Sequence, residues 1–331
     1  MQIIYPPTPE ALEPARQAGR GNAVAGTAGN DGETAFFCAT IGFFDGVHQG
    51  HRFLLQQVGE AARLHGLKTM AVTFADHPRR TLQTDYRPRL LTTTETKLSL
   101  LAGCGLDACA VLQFTPEMAA LSAREFMQRY LFDCLRVRCL VIGYDHRFGA
   151  GRNEGFADYC AYGREMGMEV TAARPLCNEE YTVSSSVVRR FLENGCVEKA
   201  RECLGRYYHL RGTVVSGHHM GHGLGFPTAN LCPEHPDLLV PACGVYAVYA
   251  ETGCGRYPAM LNIGHRPTLN NGNDRSIEAH LFGFDGNLYG QTLTLQFVGR
   301  LRNEQKFDSL DQLKAQLQKD ESQALQILSP C

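Results

Sequence analysis

The sequence of 331 residues contains no tryptophan and no pair of cysteines spaced C-x-x-C. It also has no apolar run close to the roughly 20 residues that a membrane-spanning helix needs. The absence of tryptophan excludes no class of protein. Because no basic stretch with an apolar core follows the first residue, we expect no secretory signal. The net charge of −2 gives no reason to expect nucleic acid or a membrane surface as a partner.

Cysteine is plentiful, with thirteen residues, but the number is odd. Cys38, Cys109 and Cys139 lie inside apolar runs, where a thiol is a small buried hydrophobic group. This usage predicts reduced core cysteines in a cytoplasmic protein, rather than a disulfide framework or a zinc site.

The first half of the chain predicts a mostly parallel sheet. Residues 1–5 predict a short strand, and a stretch rich in glycine and alanine up to residue 33 predicts a loop. From residue 34 to 183, apolar runs alternate with segments of helical periodicity, which predicts βαβ units and a doubly wound sheet with helices on both faces. The predicted strands are 34–42, 67–74, 106–114, 138–143 and 168–173, and the predicted helices lie near 49–65, 95–103, 122–134 and 156–166.

The second half has a different texture. Residues 184–205 predict one or two short helices, interrupted at Gly195. Over 206–331, short apolar segments separated by Gly, Pro and Asn predict an antiparallel β-barrel. Residues 309–328 repeat apolar residues at helical spacing, so we expect an amphipathic helix packed on the barrel.

A first candidate site follows the first predicted strand, in the segment IGFFDGVHQGH at 41–51. A turn at Asp45 and Gly46 leads into a helix, and His48 and His51 lie three residues apart as that helix begins. Both imidazoles can therefore point at one ligand. A helix N-terminus favours a phosphate group, and histidines there can donate hydrogen bonds to it during attack. The alternative interpretations are an ordinary polar helix start or half of a metal site.

Polar residues after other predicted strands support the same site. Asp76, His77 and two arginines follow the second of these strands, and Asp145 lies in a Gly-rich segment after a later one. Ligands of such sheets bind beyond the carboxyl ends of the strands. Ser184, Ser186 and Arg189 open a further helix, where hydroxyls and a guanidinium suit a leaving pyrophosphate. The simpler interpretation of the three serines is a helix N-cap.

A second candidate site is the segment GLGFPTANL at 223–231. Gly225 permits a nucleotide to come close to the backbone. The oxygens of Thr228 and Asn230 are hard ligands suited to Mg²⁺ with nucleotide phosphates. Glu278 is the candidate base that orients an attacking hydroxyl. The alternative interpretation of Glu278 is an ordinary solvated residue. The alternative interpretation of the segment before Thr228 is a zinc site that would use His218, His219, His222 and Cys232.

Together these motifs resemble the bacterial bifunctional riboflavin kinase/FAD synthetase family, in one order from about residue 34 to about residue 325. The motifs are GFFDGVHQGH, TFADHP, LLTTTETKLSLLAGCGLD, IGYDHRFG, SSSVVR, LGFPTANL, GVYAV, NIGHRPT, LYG and LRNEQKF. The resemblance implies an FMN adenylyltransferase (FAD synthetase) domain of the nucleotidyltransferase type over 34–183. It further implies a helical connector over 184–205 that completes the first site, and a six-stranded riboflavin kinase barrel over 206–331.

The implied enzyme phosphorylates riboflavin to FMN with ATP and Mg²⁺, and then adenylylates FMN to FAD with a second ATP, releasing pyrophosphate. In the kinase, Thr228 and Asn230 hold the metal and phosphates, and Glu278 is the base. In the adenylyltransferase, His48 and His51 stabilise the transition state. The other implied binding residues are Ser184, Ser186 and Arg189 for the outgoing phosphates, and Gly42, Phe43, Asp45 and Asp145 for the nucleotide pocket.

Two departures from the family pattern leave alternatives open. The family usually has an aromatic residue where His146 stands, and an arginine where His222 stands. An imidazole binds phosphate less well than a guanidinium, so the kinase could be weakened. One alternative is therefore a chain that retains only the FMN adenylyltransferase activity. The other is a flavin-sensing or RNA-binding regulator derived from the enzyme, against which the intact catalytic residues and the lack of a basic patch argue.

Overall fold

The computed structural model describes residues 1–7, 35–82, 85, 87, 89–144, 146–177, 180–216, 226–265 and 275–329. The chain divides into two compact units. The first contains Met1–Pro88 and Thr92–Ser184, and the second contains Arg89–Leu91 and Ser185–Cys331. Most of the predicted loop up to residue 33 lies outside the described residues, whereas the predicted strand that precedes it is described.

The first unit is built on a six-stranded parallel sheet, which confirms the predicted fold class. Two central strands are buried at every position, as expected for parallel strands covered on both faces. The strands are β1 (Gln2–Ile4), β2 (Phe37–Ile41), β3 (Lys68–Phe74), β4 (Ala108–Leu112), β5 (Val137–Ile142) and β6 (Glu169–Ala172).

The order of the strands fixes where a ligand can bind. It is β1-β4-β3-β2-β5-β6, so the chain builds outwards from β2 to one side and then crosses to β5 on the other. The order therefore reverses between β2 and β5, and ligands of open α/β sheets bind at the carboxyl ends of the strands at such a switch point. The segment that follows β2 is the first candidate site.

Helices connect these strands. Two of them, Pro78–Leu82 and Pro116–Ala119, are short and were not predicted, although Thr115 caps the second and Pro116 starts it. The predicted helix at 122–134 begins with a capping box at Ser122 and becomes a π-helix from residue 127. The helices of the first unit are α1 (Gln49–His65), α2 (Pro78–Leu82), α3 (Thr94–Ala102), α4 (Pro116–Ala119), α5 (Ala123–Phe126) with its π-helical continuation Met127–Cys134, and α6 (Phe156–Met166).

The second unit is a closed six-stranded antiparallel barrel, in the order β10-β11-β8-β7-β12-β9. The helices α7 (Ser185–Glu193) and α8 (Val197–Leu204) precede it, with Gly195 between them as predicted. The segment that contains Asn230 forms a strand of five residues, which is too short for periodicity to reveal. The strands are β7 (Tyr208–Val215), β8 (Ala229–Pro233), β9 (Gly244–Thr252), β10 (Gly255–His265), β11 (Arg275–Leu281) and β12 (Thr292–Arg302).

The predicted C-terminal helix is present as α9 (Leu310–Leu328) and packs on the barrel. Its carboxylate Asp320 is only 1% exposed and accepts from the guanidinium of Arg302 on β12. The Nη2–Oδ2 distance is 2.7 Å, and Nε contributes two further contacts of 3.0 Å. This bidentate ion pair fixes the helix to the barrel. None of the helices in the described part of the chain has the length and apolar character that crossing a membrane requires.

The ion pair gives a stability prediction. Because Asp320→Ala leaves the largely buried guanidinium of Arg302 without its carboxylate, we expect the free energy of unfolding of the barrel to fall by about 3–5 kcal/mol. Asp311→Ala, at an exposed position in the first turn of the same helix, should cost less than ~1 kcal/mol. Calorimetry of the full chain compares the two variants, and equal shifts in the barrel transition would contradict the prediction.

Candidate active sites

The chain between β2 and α1 makes a tight corner from Gly42 to His48. Phe44 and Val47 have φ angles of 55° and 37°, which non-glycine residues seldom adopt. The Val47 N–H donates to the Phe44 carbonyl at 3.1 Å and closes the turn. The side chains of both residues are fully buried, in one cluster with Leu55 and Leu101. Packing in the core therefore holds a backbone conformation that would otherwise be unfavourable, and such conformations cluster at functional sites.

Asp45 fixes the corner to the segment before α3. Its Oδ1 accepts from the Thr92 N–H at 3.1 Å and from the Thr92 hydroxyl at 3.2 Å. The same hydroxyl accepts from the Gly46 N–H at 3.1 Å. Asp45 is 3% exposed, so these hydrogen bonds form in a nearly dry environment. Its contribution to a nucleotide pocket stays a prediction, and the structure adds this role in holding the turn.

The two histidines lie against each other. His48 is the N-cap of α1, and its Nδ1 accepts from the His51 backbone N–H at 3.2 Å. Their rings are stacked, with centroids 3.6 Å apart and planes 20° apart. His48 thus lies one residue before the helix. The two rings come together by stacking, whereas the sequence predicted that they would share a helix face. Because Nδ1 is used as an acceptor, the neutral His48 ring carries its proton on Nε2, which is then a hydrogen-bond donor.

The end of β3 borders the corner, as the sequence predicted for the segment with His77. The Gly42 N–H donates to the Val72 carbonyl at 3.0 Å, and the Thr73 hydroxyl donates to the Phe43 carbonyl at 3.1 Å. The half-buried ring of Phe43 contacts the His77 ring edge-on, at 4.7 Å between centroids. Phe43 and His77 therefore form one aromatic surface beside the corner.

Gly50 brings a third segment to the start of α1. A Cβ at this position would lie 2.6 Å from the Val183 carbonyl oxygen and 3.1 Å from the His48 ring. Only glycine lets these groups approach so closely. Ser184, the next residue, belongs to the first unit, whereas Ser186 and Arg189 lie on α7 of the second. Nε of Arg189 donates to the Arg89 carbonyl at 2.7 Å within that unit.

An apolar cavity of about 60 Å³ opens near the carboxyl ends of β2 and β3. Phe148 lines it and stacks on Tyr159 at 4.3 Å. His146, which replaces the expected aromatic residue, lies 6.0 Å from the Phe148 ring. The lining is apolar and largely aromatic, and consists of Ile41, Phe74, Phe114, Met118, Ala119, Leu121, Phe126, Phe148 and Gly149.

One residue that sequence reasoning missed is Lys97 on α3, which is 1% exposed. Its Nζ donates to the Phe74 carbonyl at 2.6 Å and lies 4.2 Å from the centre of the Phe43 ring. Burial lowers the pKa of Lys97 to about 8, although Asp45 opposes the shift. The available signal was its spacing, since Lys97 and the buried Leu101 are one turn apart on the same helix face.

The second candidate site is a row of polar residues across three strands of the barrel. In the register, Glu278 on β11 is paired with Asn230 on β8 and with Asn262 on β10. Directly paired residues point to the same side of a sheet, so the three side chains are neighbours. Ile277 and Ala279, which alternate with Glu278, are buried in the barrel, so the row faces outwards. Sequence reasoning missed Asn262, because only the register places it beside Glu278.

His280, two residues after Glu278, holds the chain that leads to Thr228. Its Nδ1 donates to the Pro227 carbonyl at 2.7 Å, and its ring contacts Phe226 edge-on at 5.2 Å. Thr228 follows directly and lines a cavity of about 240 Å³. The cavity is bounded by Val214, Pro227, Thr228, Ala229, Ala279, Leu281, Phe284, Asp285, Gly286, Asn287, Leu288 and Tyr289.

Some predicted residues lie outside the described part of the chain. These are Asp145, Gly225 and the three histidines of the alternative zinc site, His218, His219 and His222. Among the residues that are described, no group of three or more His, Cys, Asp or Glu side chains could hold a metal ion. Thr228 and Asn230 would offer a hydroxyl and an amide oxygen instead.

Comparison with known proteins assigns each half of the chain to a family. Residues 33–187 match the FAD synthetase family, and residues 204–328 match the riboflavin kinase family. A crystal structure described as a macrolide-efflux protein from Streptococcus pneumoniae has a TM-score of 0.79 with 30% identity, over 91% of this chain and 98% of that one. That similarity supports the fold, and the described activity is that protein's own.

Two relatives are similar over nearly their whole length. The bifunctional riboflavin kinase/FMN adenylyltransferase of Escherichia coli (strain K12) is 39% identical over 284 residues, which cover 85% of this chain and 90% of that protein. The protein of the same description from Bacillus subtilis (strain 168) is 33% identical over 300 residues, covering 90% and 94%. With both domains present in this order, the chain belongs to the bifunctional riboflavin kinase/FMN adenylyltransferase family, whose two activities make the flavin cofactors FMN and FAD.

Proposed function

We propose that the two activities use the two sites described above, with separate catalytic residues. His48 and His51 act in adenylylation of FMN, and Glu278 with Thr228 and Asn230 acts in phosphorylation of riboflavin. The observation that carries the first assignment is the stacked histidine pair at the switch point of the parallel sheet. The second rests on the register that aligns Asn230 with Glu278.

In the kinase site, Glu278 accepts the proton of the riboflavin 5′-hydroxyl as its oxygen attacks the γ-phosphorus of ATP, and ADP leaves. The hydroxyl of Thr228 and the amide oxygen of Asn230 are hard donors that fit Mg²⁺, and Asn230 is only 6% exposed. Bound there with ATP, the ion would offset negative charge on the phosphates. The cavity beside Thr228, with Leu281, Leu288 and Tyr289 in its wall, offers an apolar surface for an aromatic ring of ATP.

In the adenylyltransferase site, a phosphate oxygen of FMN attacks the α-phosphorus of a second ATP, and pyrophosphate leaves. The Nε2–H of His48 and the neighbouring ring of His51 donate hydrogen bonds to the charge that develops there. The free N–H groups at the start of α1 add positive potential. The apolar cavity near Phe148 has room for one edge of an aromatic ring.

The remaining assignments are part of the same proposal. Gly42, Phe43 and Asp45 border the nucleotide, as does Asp145 by the family resemblance. Ser184, Ser186 and Arg189 bind the departing phosphates, and Gly225 approaches the nucleotide of the kinase. The chain division 34–183, 184–205 and 206–331 and the cytoplasmic location predicted from cysteine usage also remain proposals. The described cysteines form no disulfide with one another, although Cys38 and Cys139 are paired in register.

The two-site assignment predicts opposite losses in two variants. His51→Ala removes a donor at the attacked phosphate and should lower FAD formation from FMN by about 100- to 1,000-fold, while FMN formation stays unchanged. Glu278→Ala should abolish FMN formation from riboflavin and leave FAD formation from supplied FMN intact. The measurement is chromatography of riboflavin, FMN and FAD over time, with ATP and Mg²⁺.

The wild-type protein in the same assay separates the alternatives. FMN rising first and FAD following supports both sites. FAD from supplied FMN, without FMN from riboflavin, would leave only the adenylyltransferase, and no product from either substrate would favour a regulator. If one variant removed both products equally, the two-site assignment would be wrong.

Gly50 provides a backbone test of the first site. A methyl group at Gly50 would displace the Val183 carbonyl and the His48 ring, so Gly50→Ala should lower FAD formation by about 10- to 100-fold and leave FMN formation unchanged. Gly59→Ala is the matched control, because a Cβ at Gly59 meets no atom within 4 Å and alanine favours the same helix. A similar loss in both variants would contradict the prediction.

His280 provides a test of the second site. His280→Leu removes the hydrogen bond to Pro227 and lets Thr228 move, so kcat/KM of the kinase should fall about tenfold, which corresponds to ~1.4 kcal/mol. His280→Asn keeps a side-chain N–H donor near the position of Nδ1 and should restore most of the activity. Kinase rates and FAD formation from FMN are measured on the same samples. Equal kinase rates in the Leu and Asn variants would contradict a role for the hydrogen bond.

A further inference from the structure

Lys97 is a buried cation that none of the roles described so far requires. It lies on α3 among apolar side chains, one turn before Leu101, and only 1% of it is exposed. Removing an ammonium group from water is costly unless nearby groups compensate. A methionine or leucine could fill the same position at no such cost, so packing of α3 alone does not explain a lysine there.

The groups that contact Lys97 lie in the corner from Gly42 to His48 and at the end of β3. Nζ donates to the carbonyl of Phe74, the last residue of β3, at 2.6 Å. It lies over the ring of Phe43, 4.2 Å from the centroid, which is a cation–π contact. The carboxylates of Asp45 and Asp76 are close enough to favour the charged form. The side chain of Lys97 therefore contacts or faces both the segment after β2 and the segment at the end of β3.

We propose that Lys97 is a positioning residue of the adenylyltransferase, which holds Phe43 and the end of β3 in place and puts a buried positive charge behind the nucleotide-binding corner. The proposal rests on the function proposed for that corner. FMN and ATP both bring phosphate charge to it, and a cation fixed in a low-dielectric environment offsets part of that charge. Lys97 acts through Phe43 and the strand end, and the structure gives no contact between Lys97 and a reacting atom.

The charge also predicts a pH dependence. Burial lowers the pKa of Lys97 from 10.5 to about 8, and the groups that face it are Asp45, Asp76 and the Cys109 thiol. Below pH 8 the ammonium is charged in the folded protein. As the pH rises through 8, Lys97 loses this proton in the folded protein before it does so in the unfolded chain. The folded protein therefore gains stability, because a neutral amine costs less to bury, while the positive charge disappears. Adenylylation should therefore decline through this range as a stable protein loses the charge.

The test is Lys97→Met in the full chain, because methionine fills a similar volume without charge. We expect kcat for FAD formation from FMN to fall about 30- to 100-fold, within the range found for misplaced catalytic groups. FMN formation from riboflavin should stay within twofold of wild type, which shows that the chain is folded. Leu101→Met, a volume-conserving change on the same buried helix face, is the matched control and should keep both activities.

The second measurement is the pH profile of FAD formation between pH 6.5 and 9.5. The wild-type rate should decline above pH 8, and Lys97→Met should be low throughout and lack that decline. Any of four results would overturn the proposal. In Lys97→Met these are a rate of FAD formation within threefold of wild type, a loss no larger than in Leu101→Met, and a parallel loss of FMN formation. The fourth is a flat pH profile of the wild-type protein. If His51→Ala also retains FAD formation, the function proposed for the corner is wrong. If His51→Ala abolishes it while Lys97→Met is active, only the role of Lys97 is wrong.

Discussion

Burial of Phe44 and Val47 is the constraint on which the first site depends. Their side chains pack in the core while their backbones take left-handed angles, so core packing holds the shape of the corner. That shape aims Asp45 at Thr92 and places His48 as the cap of α1. The unfavourable conformation is thus held by the apolar packing beneath it, and the polar groups above it are preorganised for the charged substrate proposed to bind there.

The second site depends on strand register instead. Glu278 and Asn262 are paired residues on neighbouring strands, and a shift of one residue would turn one of the two side chains to the opposite face. The hydrogen bond from His280 to Pro227 then fixes the segment with Thr228 beside the same strand. The barrel therefore supplies its polar side chains from regular strands, whereas the parallel sheet supplies them from the segments beyond its strands.

Much of this arrangement could be predicted from the sequence, because it depends on local patterns. Apolar runs and helical periodicity predicted the parallel strands and α9, and the glycines and histidines of 41–51 predicted the corner. Long-range partners could not be predicted. No local pattern pairs Asp45 with Thr92, Gly50 with Val183, or Asn262 with Glu278. The stacking of His48 on His51 also differs from the helix-face geometry expected, because the cap hydrogen bond turns His48 towards the helix.

The two sites bury polar groups to different degrees, and this difference has a consequence. The corner encloses Asp45, His48 and Lys97 almost completely, so each charge there is strengthened by the low dielectric and each lost partner is costly. In the row on the barrel, Asn230 is buried while Glu278 is partly exposed. Partial exposure suits the base proposed there, which must exchange its proton with solvent after each turnover. Substitutions of Asp45 and Lys97 should therefore be coupled to one another, because the Asp45 carboxylate favours the charged form of Lys97.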